Sequence, residues 1–366
     1  MIIKILIDIN HPAHVHYFRN FIKDMEKKGH RFCVINRDDG MINKLLDYYG
    51  IKHTIRNKRP KKPSTLHSLI NLMKNIAYCT WNSIKFHPDM YMGFASSSCA
   101  ITSRLFMKPC VLMDDTEHNV MNHKLYLPCC STVLTPFYFN KDFNKNSVGG
   151  KNKQIRFNAF VEQLYLHSEI YEASTDVLKQ LNVKPREYVL VRYISYDAHH
   201  DLVANPLDDE TKKEIVIRIA SQYKVFVSLE SSISDNFYDE YKLNISPEQM
   251  HDVEANAKFI VTEGGTMGTE CFVLGVPFIN LNPLSCGSVD YQCSNYPTRS
   301  YHTTDKNEAL RIIGKLIKED FDYVGEHRKL EDMTINPTRF LEWFIENYPQ
   351  SRDIMKHNPQ FQYKFK

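Results

Sequence analysis

Two hydrophobic periods alternate along the chain, and their alternation predicts an α/β protein with a doubly wound parallel sheet. Apolar runs bounded by turn residues read as buried parallel strands at Ile2–Ile9, Arg31–Asn36, Lys52–Arg56, Asp89–Ala95, Pro109–Met113, Ser131–Thr135 and Gln154–Phe157. Between them the spacing turns helical. Phe18, Phe21, Ile22 and Met25 give the segment up to Lys28 one apolar face, which Gly29 closes. Further helices are expected over Met41–Tyr49, Leu66–Phe86 and Ser98–Phe106. The pattern restarts after a bridging segment, 161–186, with a strand at Glu187–Val191, a helix over Asp208–Gln222 and a strand at Val225–Leu229. A strand near Leu243, a helix from Pro247 and a helix over Asn307–Lys318 follow, and a last helix, Thr338–Glu346, is expected to cross back onto the first domain.

The most informative stretch is Lys258–Pro283. A strand ending at Thr262, the turn Glu263-Gly264-Gly265, a helix from Thr266 to Leu274 closed by Gly275, and a strand at Phe278–Leu281 make a βαβ unit. Such a unit offers an anion the free N–H groups at a helix N-terminus, here those of Gly265, Thr266 and Met267. Glycines at 264 and 265 let a ligand approach the backbone and permit positive φ. Glu270 lies one turn beyond Thr266 on the same face, where a carboxylate suits two vicinal hydroxyls such as those of a ribose. The position is expected on a ligand-facing helix surface rather than in the core.

Composition narrows the class. The 366 residues are 43% hydrophobic and 24% charged, as in an ordinary globular protein of two domains. No apolar stretch reaches the ~20 residues needed to span a bilayer, and nine cysteines without a CxxC pair give no disulfide framework, so a cytoplasmic protein is expected. The net charge of +3 conceals an asymmetry. Residues 1–160 carry 24 Lys and Arg against 11 Asp and Glu, and the remainder carries 22 against 32. A basic and an acidic half imply different partners and mutual attraction. Nucleic acid is not expected as a partner, because no recognisable reader motif accompanies the basic half. The loop with Lys58, Arg59, Lys61 and Lys62 leads into the apolar helix beyond Leu66. That pair reads either as a solvated charge run before a core helix or as a surface for peripheral contact with an anionic membrane or a lipid-linked acceptor.

Four segments together resemble a family of prokaryotic GT-B-like proteins of undefined activity: Asp8-Ile9-Asn10-His11-Pro12-Ala13-His14, Asp115-Thr116-Glu117-His118, Arg192 with His200-Asp201, and Glu263-Gly264-Gly265-Thr266-Met267-Gly268-Thr269-Glu270. The chain is more distantly similar to UDP-N-acetylglucosamine 2-epimerase and the peptidoglycan N-acetylglucosaminyltransferase. The resemblance implies two Rossmann-like domains facing across a cleft. On that plan residues 1–160 form the acceptor domain, 161–186 a linker, 187–337 the nucleotide-sugar domain, and 338–366 a helix crossing back and a tail. The Gly264-Gly265-Thr266 turn then takes the diphosphate, Glu270 the ribose, and the backbone near Ile245 and Ser246 a uracil.

The implied function is glycosyl transfer from a UDP-sugar to a sugar or lipid-linked acceptor in surface polysaccharide or glycolipid synthesis, with no cofactor and no metal. That chemistry needs a base for the acceptor hydroxyl and positive charge for the departing diphosphate. His14, Asp115 and Glu117 are the catalytic candidates, and His11, Arg192, His199 and His200 the further substrate-binding ones. A 2-epimerase fits the same carboxylates, but Arg192-Tyr193-Ile194-Ser195 stands where the epimerase's histidine-arginine motif would be. A non-catalytic nucleotide-sugar binding protein is a further alternative. Metal-dependent hydrolysis could draw on His11, His14, His16, Asp114, Asp115, His199 and His200, yet no ligand spacing supports it.

Overall fold

The computed structural model describes residues 2–57, 65–146, 149–194, 206–230 and 235–366. The chain forms two compact units, one of residues 1–165 with 334–366, the other of residues 166–333. Each holds one parallel sheet covered by helices, so the protein is α/β and GT-B-like in fold.

The first unit contains β1 (Lys4–Ile9), β2 (Arg31–Arg37), β3 (His53–Arg56), β4 (Met90–Phe94), β5 (Cys110–Met113), β6 (Thr132–Pro136) and β7 (Gln154–Phe157). They lie in the order β3-β2-β1-β4-β5-β6-β7, all pairs parallel. The order reverses between β1 and β4, which opens a crevice at the carboxyl ends of those strands. Strands β4, β5 and β6 are buried throughout, and Leu6, Tyr91, Leu112, Tyr126 and Phe143 share one core with Cys99 and Cys110. Helix Pro12–Lys27 buries the face the spacing predicted, with Phe18 and Phe21 inaccessible to solvent. The last helices belong to this unit as well. Phe340, Leu341, Phe344 and Ile345 bury one face of Pro337–Glu346, whose Thr338 hydroxyl donates to the Leu164 carbonyl.

The second unit contains β8 (Tyr188–Tyr193), β9 (Lys224–Leu229), β10 (Ile260–Thr262), β11 (Phe278–Asn280) and β12 (Ser300–His302), in the order β12-β11-β10-β8-β9. Here the reversal falls between β8 and β10. Helices Asp209–Ala220 and Lys306–Lys318 pack their aliphatic faces on this sheet through Ile215, Ile219, Ile313 and Leu316. The strand expected near Leu243 does not form. Only an isolated bridge joins Lys242 to Val227, because Ser246-Pro247 turns the chain at once into the 3₁₀ turn Pro247–Gln249 and the helix Met250–Asn256. Within the segment read as a bridge, Leu164 and Tyr165 are fully buried in the first unit and Val177 and Leu178 are buried in the second.

Candidate functional site

In the second unit the switch point is built by β8 and β10, which pair in parallel with Thr262 opposite Arg192. Beyond Thr262 the chain is tied down from below. The buried Glu263 carboxylate accepts from the Ile194 amide at 3.0 Å and lies 2.8 Å from Lys212 Nζ, while its carbonyl accepts from Asn282 Nδ2 at 2.7 Å. Gly264 then serves as N-cap of the helix Gly265–Val273, and no side chain caps that end. The first-turn N–H groups of such a helix have no intrahelical acceptor and carry the positive end of its dipole.

The two glycines act through space rather than through φ. Gly264 has φ −91°, and Gly265 too lies outside the left-handed region, so the positive φ that these glycines permit is not used. A Cβ on Gly265 would meet nothing within 4 Å, which leaves the backbone open to a ligand. Gly268 answers a packing need instead, since a Cβ there would press on the Phe278 ring at 3.1 Å. Gly275 closes the helix at φ 74°.

Arg192 stands beside this turn. It donates to Ser228 Oγ at 2.8 Å and lies 3.6 Å from Glu230 Oε1. Burial lowers its pKa and the charges of Glu230, Glu254 and Glu270 raise it, but a guanidinium stays charged in either case. Glu270 departs from expectation: it is buried, with Oε1 3.2 Å from His251 Nε2, because the helix Met250–Asn256 packs across that face. Thr266 is half-buried and Met267 buried. Ile245 is half-buried and Ser246 exposed, and the Ser246 amide already donates to Gln249 Oε1 at 3.0 Å in a helix-start box. His199 and His200 lie outside the described residues.

Sequence reasoning missed His251 and Glu254. Glu254 is fully buried, and neither of its carboxylate oxygens has a hydrogen-bond partner. Burial, then the Glu270 charge, pushes its carboxyl well above the usual range, with Arg192 opposing. The signal available was their i, i+3 spacing on the turn of helix just before the glycine unit. Among the described residues, His251, Glu254 and Glu270 form the one group of such side chains able to hold an ion, and His11, His14, His16, Asp114 and Asp115 form none.

In the first unit the crevice lies where β1 and β4 end. Asp8 is buried there, accepting from Arg56 Nε, Ser98 Oγ and Asn10 Nδ2 at 2.8 to 3.2 Å. That network anchors the loop Asn10–His11. Exposed His11 is the N-cap of helix Pro12–Lys27, its Nδ1 accepting from the Ala13 amide. His14 packs on Phe94 with ring centres 4.9 Å apart, and its Nδ1 accepts from the Asn10 amide at 3.4 Å. Burial, then the nearby His11 and Arg37, holds its pKa well below the usual value, so the ring is neutral at pH 7 and carries its proton on Nε2.

Asp115 and Glu117 follow β5 at the same sheet edge. Two strand spacings separate the ends of β1 and β5, about 10 Å. Burial and the neighbouring Asp114 raise the Asp115 carboxyl to about 7, with Glu117 adding to the effect and the Thr116 hydroxyl opposing it. Glu117 is buried and its Oε1 accepts from the Asn140 amide at 3.1 Å. Asp114 is held by Tyr126, His123 and the Thr116 amide.

Residues 3–339 match the family described as a protein of unknown function, DUF354. An uncharacterized protein of Methanocaldococcus jannaschii is 24% identical over 329 residues, which covers 85% of this chain and 91% of that protein. Among solved structures, UDP-GlcNAc 2-epimerase of Neisseria meningitidis bound to UDP-GlcNAc has a TM-score of 0.64 at 12% identity, covering 94% of this chain and 100% of that one. The kitacinnamycin glycosyltransferase has a TM-score of 0.60 at 12% identity, covering 94% and 99%. At such identities the likeness is one of fold.

Proposed function

We propose that this chain, which belongs to the DUF354 family, is a glycosyltransferase that takes its sugar from a UDP-linked donor. The observation that carries the reading is the uncapped, unobstructed start of helix Gly265–Val273 at a sheet switch point, with Arg192 in register beside it. A diphosphate there meets the amides of Gly265, Thr266 and Met267 and the charge of Arg192. Glu270 takes the ribose hydroxyls. A uracil is read from the side of Ile245, with the Ser246 amide already engaged. The Neisseria structure, with UDP-GlcNAc bound in the same fold, supports a nucleotide-sugar ligand.

The acceptor is assigned to the first unit. Asp115, its carboxyl raised to about 7, is matched to general-base work near neutral pH, and His14 offers a neutral Nε2–H donor. Glu117 supports the loop that carries Asp115 and has the weaker claim to touch substrate. The acceptor's lipid-linked character is inferred from helix Thr65–Phe86, which leaves Leu69, Ile70, Met73, Trp81 and Ile84 exposed and has Lys74 and Lys85 but no acidic residue. Lys85 Nζ sits 4.5 Å over the Trp81 ring. No described helix is long and apolar enough to cross a membrane. The arrangement therefore favours peripheral contact. The four basic residues Lys58, Arg59, Lys61 and Lys62 lie outside the described residues.

The test is a thermal-shift screen of UDP, ADP and GDP, then release of UDP from UDP-sugars on addition of glycan or lipid-linked acceptors. A ligand at 100 times its Kd stabilises by about 2.7 kcal/mol. Stabilisation by no nucleotide sinks the reading, and equal shifts from all three remove uridine. The second reading, a sugar-nucleotide 2-epimerase, is favoured by the raised carboxyl of Asp115 close to Asp114 and Glu117, a setting suited to proton traffic. UDP-N-acetylglucosamine incubated with no acceptor separates the two. The manno epimer forms only if the second reading is right.

A further inference from the structure

We propose that His251, Glu254 and Glu270 bind one divalent transition-metal ion, of the Zn²⁺ or Mn²⁺ kind, that clamps helix Met250–Asn256 to helix Gly265–Val273. One ligand atom from each side chain falls within 4.8 Å of the others, and all three residues are buried. In a four-coordinate site with bonds of 2.0–2.2 Å, neighbouring ligand atoms stand roughly 3.4 Å apart. The 3.2 Å between His251 Nε2 and Glu270 Oε1 is already one such edge. Glu254 reaches a third vertex by rotation of its own side chain, and the fourth is left for a water or ligand atom.

Two further observations point to an ion rather than to a hydrogen-bonded cluster. Both oxygens of Glu254 lack a hydrogen-bond partner although the side chain is fully buried, so no protein group satisfies them. The charges also fall short. Glu230, Glu254 and Glu270 face the single guanidinium of Arg192, which is turned toward Ser228 and Glu230. Three carboxyl groups against one guanidinium leave the neighbourhood short of cationic charge, which a divalent ion supplies. Imidazole among the donors favours a first-row transition ion over Mg²⁺ or Ca²⁺. Each carboxylate keeps a second oxygen, so Glu270 can hold the ion and still meet a ribose. The ion takes no part in glycosyl transfer, and the proposal does not rest on the nucleotide reading.

The full-length chain, stripped with EDTA and dialysed against Zn²⁺ or Mn²⁺ alone, should retain about one ion per chain by elemental analysis and melt at a higher temperature than the stripped protein. Glu254→Gln keeps shape and removes a charged ligand, and should weaken metal binding by at least about tenfold. Glu254→Leu should fold and, in EDTA, be no less stable than wild type, since an apolar side chain replaces an unpaired buried acid. Its failure to take up metal then cannot be ascribed to unfolding. The proposal is overturned if the wild type retains no ion, or if both variants retain as much as it does. Nucleotide binding, measured separately in EDTA, tests the other reading.

Discussion

Thr262 of β10 stands directly opposite Arg192 of β8 in the parallel register, so the glycine turn and the guanidinium leave the sheet at the same level. The pairing is the reason two segments seventy residues apart in sequence meet at one crevice. It follows from topology: β8 and β10 are neighbours only because the order of the second sheet reverses between them.

Arg192→Ala should therefore discriminate between ligands. A hydrogen bond to a charged group contributes roughly 1.5–3 kcal/mol, or about ten- to a hundred-fold in Kd. UDP should lose that much affinity, and uridine, which has no phosphate, should lose little. Equal losses for both, measured by calorimetry, would remove Arg192 from the diphosphate.

Gly265→Ala separates packing from function at a single atom. Its Cβ would meet nothing in the free protein, and alanine is the better helix former by roughly 0.5–1 kcal/mol. The variant should melt at the same temperature or slightly higher, yet bind UDP at least about tenfold more weakly if a diphosphate lies against this backbone. Unchanged UDP affinity would mean that the open space at Gly265 is not the ligand's.

Much of this was legible in the sequence, and the failures have physical causes. The central strands of both sheets are buried on two faces and read as continuous apolar runs, so most stood out, whereas the edge strand β3 leaves Thr54 and Ile55 exposed. The three-residue β12 and the helices Gly287–Asn295 and Tyr323–Met333 are short or weakly patterned and did not. The glycine turn was visible because its residue types are rare in combination. The burial of Glu270 was not, since it depends on His251 and Glu254, brought across by a seven-residue helix whose packing no local pattern encodes. The positive φ that Gly264 permits is likewise not used. Glycine permits that conformation without requiring it, and here the open approach is what the residue provides.

The raised carboxyl of Asp115 predicts a pH dependence of stability. A carboxyl whose folded-state pKa, about 7, exceeds its unfolded value of 3.8 binds its proton more tightly when folded. Its contribution is complete below about pH 3.8 and is lost as pH rises toward 7. Asp115→Asn should flatten that part of the profile in urea titrations at several pH values. A decline of equal slope in wild type and variant would assign the dependence to other groups.

The exposed face of helix Thr65–Phe86 predicts salt-sensitive membrane binding. Vesicles with anionic lipid should retain the protein at low salt and release it as the Debye length shrinks. Lys74→Glu with Lys85→Glu should weaken retention by roughly 1 kcal/mol for each charge at the surface. Leu69→Ser with Trp81→Ser should weaken it at all salt concentrations, because both side chains are more than half exposed and available for insertion. Equal retention on neutral vesicles would exclude the electrostatic part.

Glu270→Ala tests the site most directly, and burial alters what it should do to the fold. Removing this carboxylate leaves the His251 donor without its acceptor but also relieves the repulsion with Glu254. The two effects oppose each other, so the net loss of stability should be modest, about 1 kcal/mol in a urea titration with EDTA present. UDP binding should fall by more, roughly ten- to a hundred-fold, if the carboxylate holds the ribose. Coupling then identifies the partner. A 2′,3′-dideoxy nucleotide should bind wild type weakly and lose little further affinity on Glu270→Ala, because variant and analogue each delete one half of the same contact. If the losses simply add, Glu270 and the ribose do not touch, and the helix Gly265–Val273 meets its ligand through its N-terminus alone.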